Sequence, residues 1–341
     1  MKIIVDAMGG DNAPGEIIQG AVNARKNLNT DIVLAGRMED MLRCLEGMGY
    51  SEPPEGVELA AASETIEMDE DPVSAVRTKK DSSMAVGLRL LRDGGGDAFV
   101  SAGSTGALLS GATLIVKRVR GIRRAALAPV IPGREGECMI IDCGANAECT
   151  AEYLLQFAFM GSYYMESVLK KPSPRVGLLN IGTERGKGTA LQDETFDLLE
   201  KAAAGGHINF IGNVEAKQVM LGGVDVIVCD GFSGNILLKG IEGVSRFFSA
   251  ELKDIFKRGK LSKLSGFMVR DALYDLKDRM DPDKVGGTAL LGIARPVIKA
   301  HGSSGAVAIE NAVRHAILNA EADVAGSLAK NIEKIRIDGL A

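Results

Sequence analysis

The sequence predicts an α/β fold, with a mostly parallel sheet in an α/β/α sandwich. Short apolar segments alternate with segments of helical periodicity along most of the 341 residues. The apolar segments are nearly continuous, as in strands that are buried on both faces. Glycine-rich polar turns follow several of them. Because ligands bind at the carboxyl ends of strands in such sheets, we expect a ligand site in these turns.

The elements follow one another in a regular order. The strand candidate KIIVDAM precedes a helix in GEIIQGAVNARKNL, and DIVLAG precedes a helix in RMEDMLRCLEGM. GVELAAA is followed by the helical pattern PVSAVRTKKDSSMAVGLRLLRD. The later strand candidates are DAFVSAG, AALAPVI, CMIIDCG, RVGLLNIG, INFIGN and VDVIVCDG. We find no internal repeat and no linker, and therefore predict a single catalytic α/β unit over residues 1–341.

A helical hairpin is predicted as an insertion over residues 236–280. Amphipathic helices usually face a core, so the hairpin could pack against its own chain or against a second copy of it. Alternatively, its basic, apolar tip contacts anionic lipid or an acidic protein. Both interpretations stay open. The apolar positions are Val244, Phe247, Phe248, Leu252, Ile255 and Phe256, and the basic positions near the tip are Lys253, Lys257, Arg258, Lys260 and Lys263.

Composition and charge exclude several classes of protein. Hydrophobic residues at 46% and charged residues at 25% are ordinary for a globular protein. Forty basic and 45 acidic residues give a net charge of −5, which does not suggest nucleic-acid binding. No signal peptide or membrane span is recognisable. The five cysteines include no C-x-x-C pair, which favours reduced thiols and a cytoplasmic protein, with peripheral membrane contact left open.

The stretch LLNIGTERGKGTALQDET at 178–195 is similar to a nucleotide-binding P-loop, but its spacing differs. The P-loop needs about four residues between its first glycine and the Gly-Lys pair, whereas only three follow Gly182 here. Gly188 stands where a hydroxyl should bind Mg²⁺. Backbone N–H groups in such a turn, with Lys187 beside them, still suit an anion. The turn is therefore predicted to bind phosphate, and no metal or cofactor is expected.

Two turns are predicted to form the phosphate site. Lys187 would supply positive charge, and the hydroxyl and backbone N–H groups would donate hydrogen bonds. The alternative is that the hydroxyl groups cap helices and that the lysine is simply solvated. The first turn contributes Ser101, Gly103, Ser104, Thr105 and Gly106, and the second contributes Gly182, Thr183, Lys187 and Gly188.

Asn146 and Asn180 end strands and are candidate donors to a substrate carbonyl oxygen, although Asx turns explain them equally well. Cys143 raises the alternative of a thiol nucleophile, which we do not favour because strand cysteines are usually buried.

Asp230 is the candidate base or orienting group, with Ser233 and Asn235 as its hydrogen-bond partners. Ser233, Gly234 and Asn235 are also predicted to bind substrate. A carboxylate at this position can equally cap the next helix. His301 could transfer a proton or bind phosphate, but a structural role is more typical.

Seven motifs in this order resemble the bacterial phosphate acyltransferase (PlsX) family. The resemblance implies a homodimeric, metal-independent enzyme that makes acyl phosphate for phospholipid synthesis, with a fold similar to phosphotransacetylase and isopropylmalate dehydrogenase. The motifs are DAMGGDNAP at 6–14, DPVSAVRTKKDSSM at 71–84, SAGSTGA at 101–107, DCGAN at 142–146, LLNIGTERGKG at 178–188, DGFSGNILLKGIEG at 230–243 and GGTALLG…HGSSG ending at 305.

In the reaction that the resemblance implies, inorganic phosphate attacks the thioester of a long-chain acyl-acyl carrier protein. The site would hold two anionic partners and stabilise an oxyanion. A downstream membrane acyltransferase would use the product. Candidate docking patches for the acidic carrier are the basic cluster at 253–263 and Arg118, Arg120, Arg123 and Arg124.

The sequence departs from the family pattern at three places. Ser104 replaces the usual Asn, and GNVEAKQ at 212–218 lacks the usual Arg and Asp. DPDKVGGTALLG at 281–292 lacks an aromatic residue before its glycine pair, and has Thr288-Ala289 for Ala-Pro. Three alternative functions stay open: a phosphotransacetylase-like enzyme acting on acyl-CoA, a dehydrogenase of the isopropylmalate type, and a non-enzymatic scaffold for lipid synthesis.

Overall fold

The strands form two sheets rather than one. The computed structural model describes residues 1–273 and 286–335. The first sheet has the order β3-β2-β1-β4-β12-β11-β5 and is parallel except at β11, which runs antiparallel to both of its neighbours. Its strands are β1 (Lys2–Asp6), β2 (Asp31–Gly36), β3 (Val57–Ala61), β4 (Ala98–Ser101), β5 (Ala126–Ala128), β11 (Thr288–Leu291) and β12 (Val297–Lys299).

The second sheet has the order β6-β7-β10-β8-β9, and only β6 is antiparallel to its neighbour. The strands of the two sheets therefore fit the mostly parallel arrangement expected from the sequence, although their division into two sheets was not foreseen. The strands of the second sheet are β6 (Val130–Gly133), β7 (Gly136–Ile141), β8 (Arg175–Leu179), β9 (Asn209–Val214) and β10 (Val226–Val228).

Helices cover both faces of each sheet. A short π-helical turn, Ala112–Val116, continues the fifth helix. The helices are α1 (Gly15–Leu28), α2 (Met38–Gly47), α3 (Pro72–Thr78), α4 (Ser83–Arg92), α5 (Thr105–Gly111), α6 (Ala151–Ser167), α7 (Ala190–Ala204), α8 (Gln218–Leu221), α9 (Gly231–Lys257), α10 (Lys260–Met268), α11 (Ala306–Ala322), α12 (Val324–Lys330) and α13 (Ile332–Ile335).

One continuous core joins the two sheets. Alternate residues of a strand point to opposite faces, so Ile3 and Val5 of β1 enter this shared core with helices α1, α6 and α11, whereas Ile4 packs in a separate cluster with α4 and α5. In the same way Ile141 of β7 belongs to the shared core and Ile140 packs beneath the start of α9. Burial on both faces explains why the strand segments are continuously apolar.

The prediction of one strand in AALAPVI is wrong. The segment contains two strands, β5 in the first sheet and β6 in the second, separated by Pro129. Proline has no N–H to donate to a strand ladder. Its carbonyl oxygen accepts from the Ile140 amide at 3.0 Å, so the chain crosses from one sheet to the other at this residue.

The single helical pattern predicted after β3 is also wrong, because it contains two helices, α3 and α4. The Asp71 carboxylate accepts from the Ser74 amide at 2.8 Å and caps α3. The Ser82 hydroxyl accepts from the Ala85 amide at 3.3 Å and caps α4. An N-cap requires non-helical backbone, so Ser82 restarts the helix rather than continuing it.

Helices α9 and α10 form the beginning of the predicted hairpin. Their packing is close, since a Cβ added at Gly266 would lie 3.0 Å from the Phe256 ring. The predicted residues 274–280 lie outside the described residues. Much apolar surface stays uncovered, because Phe247, Phe248 and Leu261 are 59%, 58% and 81% exposed. Among the helices described, none has the length and apolar character needed to cross a bilayer.

Candidate active site

Three neighbouring strands of the first sheet bring their carboxyl ends together. β1, β4 and β12 are adjacent and parallel, and their ends lead into the turns at Asp6, Ser101 and Lys299. The turns after β1 and β4 approach so closely that a Cβ on Gly9 would lie 2.8 Å from the Gly103 nitrogen. Only glycine permits this approach.

The Ser101 side chain faces the protein interior. It is 1% exposed, donates to Asp6 Oδ2 at 2.7 Å and accepts from the Gly103 amide at 3.1 Å. Its single hydrogen is directed to Asp6 in this structure, and its predicted contact with phosphate stays a prediction. Burial raises the pKa of Asp6, against hydrogen bonds from Ser83 and Ser101 that lower it.

The next residues leave backbone donors available. The Ser104 hydroxyl accepts from the Ala107 amide at 3.5 Å and caps α5, as the alternative interpretation of this serine expected. The amides of Ser104, Thr105 and Gly106 have no acceptor in residues 1–273 and 286–335. Thr105 is exposed, Gly106 is half-buried and Ser104 is 7% exposed, so this run of amides begins inside the protein and reaches its surface at Thr105.

A second group of turns lies at the edge of the second sheet. β10 runs between β7 and β8 and parallel to both, so the turns at Asp142, Asn180 and Asp230 start at the same edge. A hydrogen bond connects the turn after β7 to the first sheet, because the amide of Leu127 in β5 donates to Asp142 Oδ1 at 2.9 Å. Ala145 in this turn packs against the cluster that contains the start of α5.

Asn146 does not have a free amide. Its Nδ2 donates to the Ala125 carbonyl oxygen at 2.8 Å and to Asp142 Oδ2 at 2.9 Å. Both hydrogens have partners within the protein in this structure, and the donor role towards substrate stays a prediction. Asp142, whose importance was missed, is fully buried. Burial raises its pKa, while the hydrogen bonds from Asn146 and from the Leu127 amide oppose that change.

Asp230 caps α9, which is the alternative that the sequence left open. Its carboxylate accepts from the Ser233 amide at 2.8 Å and from the Ser233 hydroxyl at 2.9 Å. The helix packs tightly here, because a Cβ at Gly234 would lie 2.0 Å from the Asp142 carbonyl oxygen. The Asn235 side chain lies against Gly144. Asp230 therefore has Ser233 as a hydrogen-bond partner, as predicted, whereas the Asn235 side chain is turned towards Gly144. Substrate binding by Ser233, Gly234 and Asn235 stays a prediction.

The turn after β8 is held by two asparagines. Asn180 Nδ2 donates to the Lys187 carbonyl oxygen at 2.8 Å and its Oδ1 accepts from the Ile181 amide, which is the expected Asx-type interaction. Asn213 Nδ2 donates to the Glu184 carbonyl oxygen at 3.0 Å. Thr183 is exposed in this turn.

Two cations of this turn differ in their surroundings. Lys187 is exposed, and its ammonium has no partner within the described part of the chain. Arg185 is directed away from the turn, because it pairs with Glu200 at 2.9 Å and lies over the Phe196 ring. Lys187 is therefore the cation of this turn that remains available to an anion. Gly182 lies close to the Lys187 side chain, and Gly188 lies close to the Asn180 side chain.

Lys299 was missed by sequence reasoning. It ends β12, is 9% exposed, and donates to the Ala102 carbonyl oxygen at 3.3 Å. Burial lowers its pKa to about 8, against the charges of Asp6 and Asp11. The available signal was a lysine within the apolar strand PVIKA. His301, which follows it, is exposed and its Nδ1 lies 2.8 Å from the Ser303 hydroxyl.

Cys143 is unsuited to nucleophilic chemistry. It is 6% exposed, and burial raises its pKa well above the usual value. Since the thiolate is the reactive form, a raised pKa makes the thiol inert. Within residues 1–273 and 286–335 no three His, Cys, Asp or Glu side chains converge as metal ligands.

The chain is similar to proteins of one named activity. Residues 1–327 match a family model described as "Fatty acid synthesis protein". The chain is 44% identical over 338 residues to a protein of Thermoanaerobacterium thermosaccharolyticum named "Phosphate acyltransferase", covering 99% of this chain and 98% of that protein.

Solved structures confirm the predicted fold class. A phosphotransacetylase from Streptococcus pyogenes has a TM-score of 0.62 and 18% identity, covering 95% of this chain and 94% of that one. A 4-hydroxythreonine-4-phosphate dehydrogenase from Klebsiella pneumoniae has a TM-score of 0.52 and 14% identity, covering 94% and 98%. These two likenesses concern the fold alone. From the family model and the close relative, the chain belongs to the phosphate acyltransferase family of fatty acid synthesis proteins.

Proposed function

We propose that the chain transfers a long acyl group from acyl carrier protein to inorganic phosphate, and that the acyl phosphate feeds phospholipid synthesis. The observation that carries this proposal is the run of three backbone amides at Ser104, Thr105 and Gly106, which have no acceptor among the described residues. Donors of this kind at the start of a helical segment suit a phosphate group. Membership in the phosphate acyltransferase family supports the same reaction.

The chemistry asks the site mainly for positioning and charge. An oxygen of phosphate attacks the thioester carbonyl carbon, a C–O bond forms, and the carbonyl electron pair moves to oxygen. When this oxyanion collapses, the C–S bond breaks and the carrier leaves as a thiolate, which takes up the proton that the phosphate loses. A thiol pKa of about 8.5 makes this leaving group good, so no covalent enzyme intermediate is required.

Lys187 supplies charge to the phosphate in this proposal, and backbone N–H groups stabilise the oxyanion. Thr183, Gly182 and Gly188 shape the turn that carries Lys187. Asp230 orients the start of α9 through Ser233, rather than acting as a base, because both of its oxygens accept hydrogen bonds there.

Exposed apolar side chains beside these turns suit an acyl chain. Ile181 follows Asn180 and is 81% exposed, and Phe232 and Ile236 in the first turns of α9 are 64% and 57% exposed. Apolar side chains that remain in water at the edge of a polar site gain free energy when a hydrocarbon covers them. They favour a long acyl donor over a small one.

The carrier would dock through exposed cations. The arginine patch is partly occupied, since Arg123 pairs with Glu152 at 3.0 Å and Arg124 lies over the Tyr153 ring. Lys253, Lys257 and Lys263 on the α9–α10 hairpin are exposed. These lysines are therefore the better candidates for an acidic carrier or an anionic lipid surface.

The same proposal extends to assembly and location. The exposed apolar residues of α9 pair two chains in a homodimer, and the hairpin tip makes peripheral contact with the membrane, where a membrane acyltransferase consumes the product. The protein is otherwise cytoplasmic.

The test is formation of acyl phosphate by the purified chain from long-chain acyl-acyl carrier protein and inorganic phosphate, with acyl-CoA as a parallel donor. We expect product from the carrier-bound donor, and Lys187→Ala should raise the KM for phosphate about 10- to 100-fold, as for loss of one charge-assisted hydrogen bond. The matched control is Lys201→Ala on α7, which should leave KM unchanged. Product from acyl-CoA alone would instead favour the phosphotransacetylase-like alternative, and no product from either donor would contradict the proposal.

A further inference from the structure

Two buried charged side chains lie behind the Ser101–Gly106 turn, and the chemistry proposed above uses neither. Asp6 is 1% exposed and Lys299 is 9% exposed. Burying charged groups costs folding free energy, and apolar residues at the same places would avoid that cost. Their neighbours in β1 and β12 are indeed buried aliphatic residues. Asp6 also accepts from the Met8 amide at 3.3 Å and so orders its own turn. The role of Lys299 has to be found in the carbonyl oxygens that it contacts.

The two side chains fix one peptide group at both of its polar ends. Lys299 Nζ donates to the Ala102 carbonyl oxygen at 3.3 Å and also to the Ala300 carbonyl oxygen. The Gly103 amide of the same peptide donates to Ser101 Oγ at 3.1 Å, and Ser101 Oγ donates to Asp6 Oδ2 at 2.7 Å. Rotation of this peptide would break both hydrogen bonds, each of them inside the protein.

The local sequence does not restrain this peptide, although the close packing of Gly9 against Gly103 limits its displacement. Gly103 lacks a Cβ and has a wide range of allowed backbone angles. Without the ammonium, the Ala102 carbonyl oxygen would be buried without a donor, because Ala102 is 1% exposed. Rotation towards another donor would then redirect the following amides.

We propose that Lys299 and Asp6 are positioning residues for phosphate, which hold the Ala102–Gly103 peptide so that the amides of Ser104 to Gly106 face the anion. This inference rests on the proposed function. Neither side chain touches the phosphate. They act through the turn, which distinguishes them from Lys187.

The pair also gives phosphate binding a characteristic pH dependence. Burial lowers the pKa of Lys299 to about 8, against the charges of Asp6 from β1 and Asp11 from the turn that follows it. As the pH rises through this range the ammonium loses its charge and the restraint weakens. Free phosphate becomes more fully dianionic over the same range, so its own titration would strengthen rather than weaken binding.

The experiment is a calorimetric titration of the full-length chain with inorganic phosphate alone at about pH 7 and about pH 9.5, values on either side of the lowered pKa. For the unmodified chain we expect the Kd to rise at least about tenfold at the higher pH. Lys299→Met should bind at least about tenfold more weakly at both pH values. Lys299→Arg keeps its positive charge at both pH values. It should therefore bind phosphate more tightly than Lys299→Met does, with a Kd that differs by less than about twofold between the two pH values. The control is Lys2→Met at the opposite end of the same sheet, which should behave like the unmodified chain.

Binding by the unmodified chain that is as tight or tighter at the higher pH would overturn the proposal, as would Lys299→Met binding like the unmodified chain. If Lys299→Met fails to fold by circular dichroism, Ser101→Ala removes the other restraint and should also weaken phosphate binding about tenfold. Unchanged binding in Ser101→Ala would count against the proposal.

Failure of the proposed function gives a different pattern. Phosphate binding with the expected dependence on Lys299 but without formation of acyl phosphate would refute the acyl transfer and leave the positioning role standing. If acyl phosphate is formed but the Kd for phosphate is the same in Lys299→Met as in the unmodified chain, only the positioning role would be refuted.

Discussion

Gly9 is a position at which the site has no room for a larger side chain. A Cβ there would lie 2.6 Å from Asp6 Oδ2 and 2.8 Å from the Gly103 nitrogen. Since backbone atoms must shift to relieve such a contact, we expect Gly9→Ala to displace the turn after β4 and to lower kcat/KM for phosphate at least about tenfold, while costing about 1–3 kcal/mol of stability. Steady-state kinetics with varied phosphate, and urea unfolding, measure the two effects.

Gly15→Ala is the matched control, because a Cβ at this position in the first turn of α1 meets nothing within 4 Å. It should leave kinetics unchanged and stability equal or slightly raised, since alanine is the better helix former. Normal activity in Gly9→Ala would show that the turns can separate without consequence for the site.

The sequence identified several residues of the site, but it predicted their contacts only where the two residues are close along the chain. It placed Asp230 beside Ser233 because that contact spans three residues. It could not place Lys299 beside Ala102, since 197 residues separate them. A lysine at the end of a strand is usually solvated, and only the packing of β12 against β4 shows that this one is buried.

The α9–α10 hairpin carries the prediction that belongs to the element scale. Leu261 and Phe267 are 81% and 67% exposed near its tip. If the tip enters a lipid surface, each should bury apolar area worth about 2 kcal/mol. We therefore expect Leu261→Ser combined with Phe267→Ser to weaken binding to vesicles of anionic lipid at least about tenfold. Transfer from soluble acyl carrier protein should be retained, as measured without vesicles.

The control for the hairpin is Leu318→Ser, another large apolar residue, 44% exposed on α11. It should leave vesicle binding unchanged. Equal vesicle binding by the tip variant and the control would show that lipid does not cover the tip, and sedimentation would then test whether a second copy does. Loss of catalysis in solution would instead favour the scaffold alternative.

The sequence predicted helices and strands correctly where the periodicity of apolar residues was not interrupted. Residues Gly15–Leu28 form one helix as the sequence predicted, because their apolar positions repeat at helical spacing. The two errors arose where a single residue interrupts a long pattern. Pro129 separates two strands that look continuous, and Ser82 begins a new helix within a run that looks like one.

The buried Asp225 carboxylate forms ion pairs with two partly exposed cations at the end of the second sheet opposite the site, and these ion pairs affect the stability of the whole molecule. Asp225 accepts from the Arg175 guanidinium at 2.9 Å and lies 2.5 Å from Lys171 Nζ. Burial raises the pKa of Asp225, but the hydrogen bonds from Arg175 and Lys171 outweigh it and lower the pKa to about 2. A depressed carboxylate pKa stabilises the fold at neutral pH, and that stabilisation is lost as the pH falls through the folded pKa.

We therefore expect Asp225→Asn to lower the free energy of unfolding by about 2 kcal/mol at neutral pH, at ~1.4 kcal/mol per pKa unit. The difference from the unmodified chain should shrink as the pH falls from about 4 towards about 2. Urea unfolding at several pH values measures this. Asp93→Asn, which removes an exposed partner of Arg92, should cause no measurable change. A difference for Asp225→Asn that persists undiminished at the lowest pH would contradict the account.

At the scale of the whole molecule, the alternation of strands and helices was sufficient to predict the fold class, because it depends on local periodicity. The division into two sheets was not predictable in the same way. It depends on which strands pair, and β12 joins the first sheet beside β4 although nearly 200 residues lie between them along the chain. The shared core that joins the sheets follows from that pairing.

The central claim is that phosphate itself attacks the acyl donor, without a covalent enzyme intermediate. Rapid-quench measurement of free carrier thiol in a single turnover, with and without inorganic phosphate, tests it most directly. Direct attack by phosphate should give no release of thiol without phosphate, and release equal to the acyl phosphate formed when phosphate is present. A burst of thiol equal to the enzyme concentration in the absence of phosphate would reveal an acyl-enzyme and rule out direct attack.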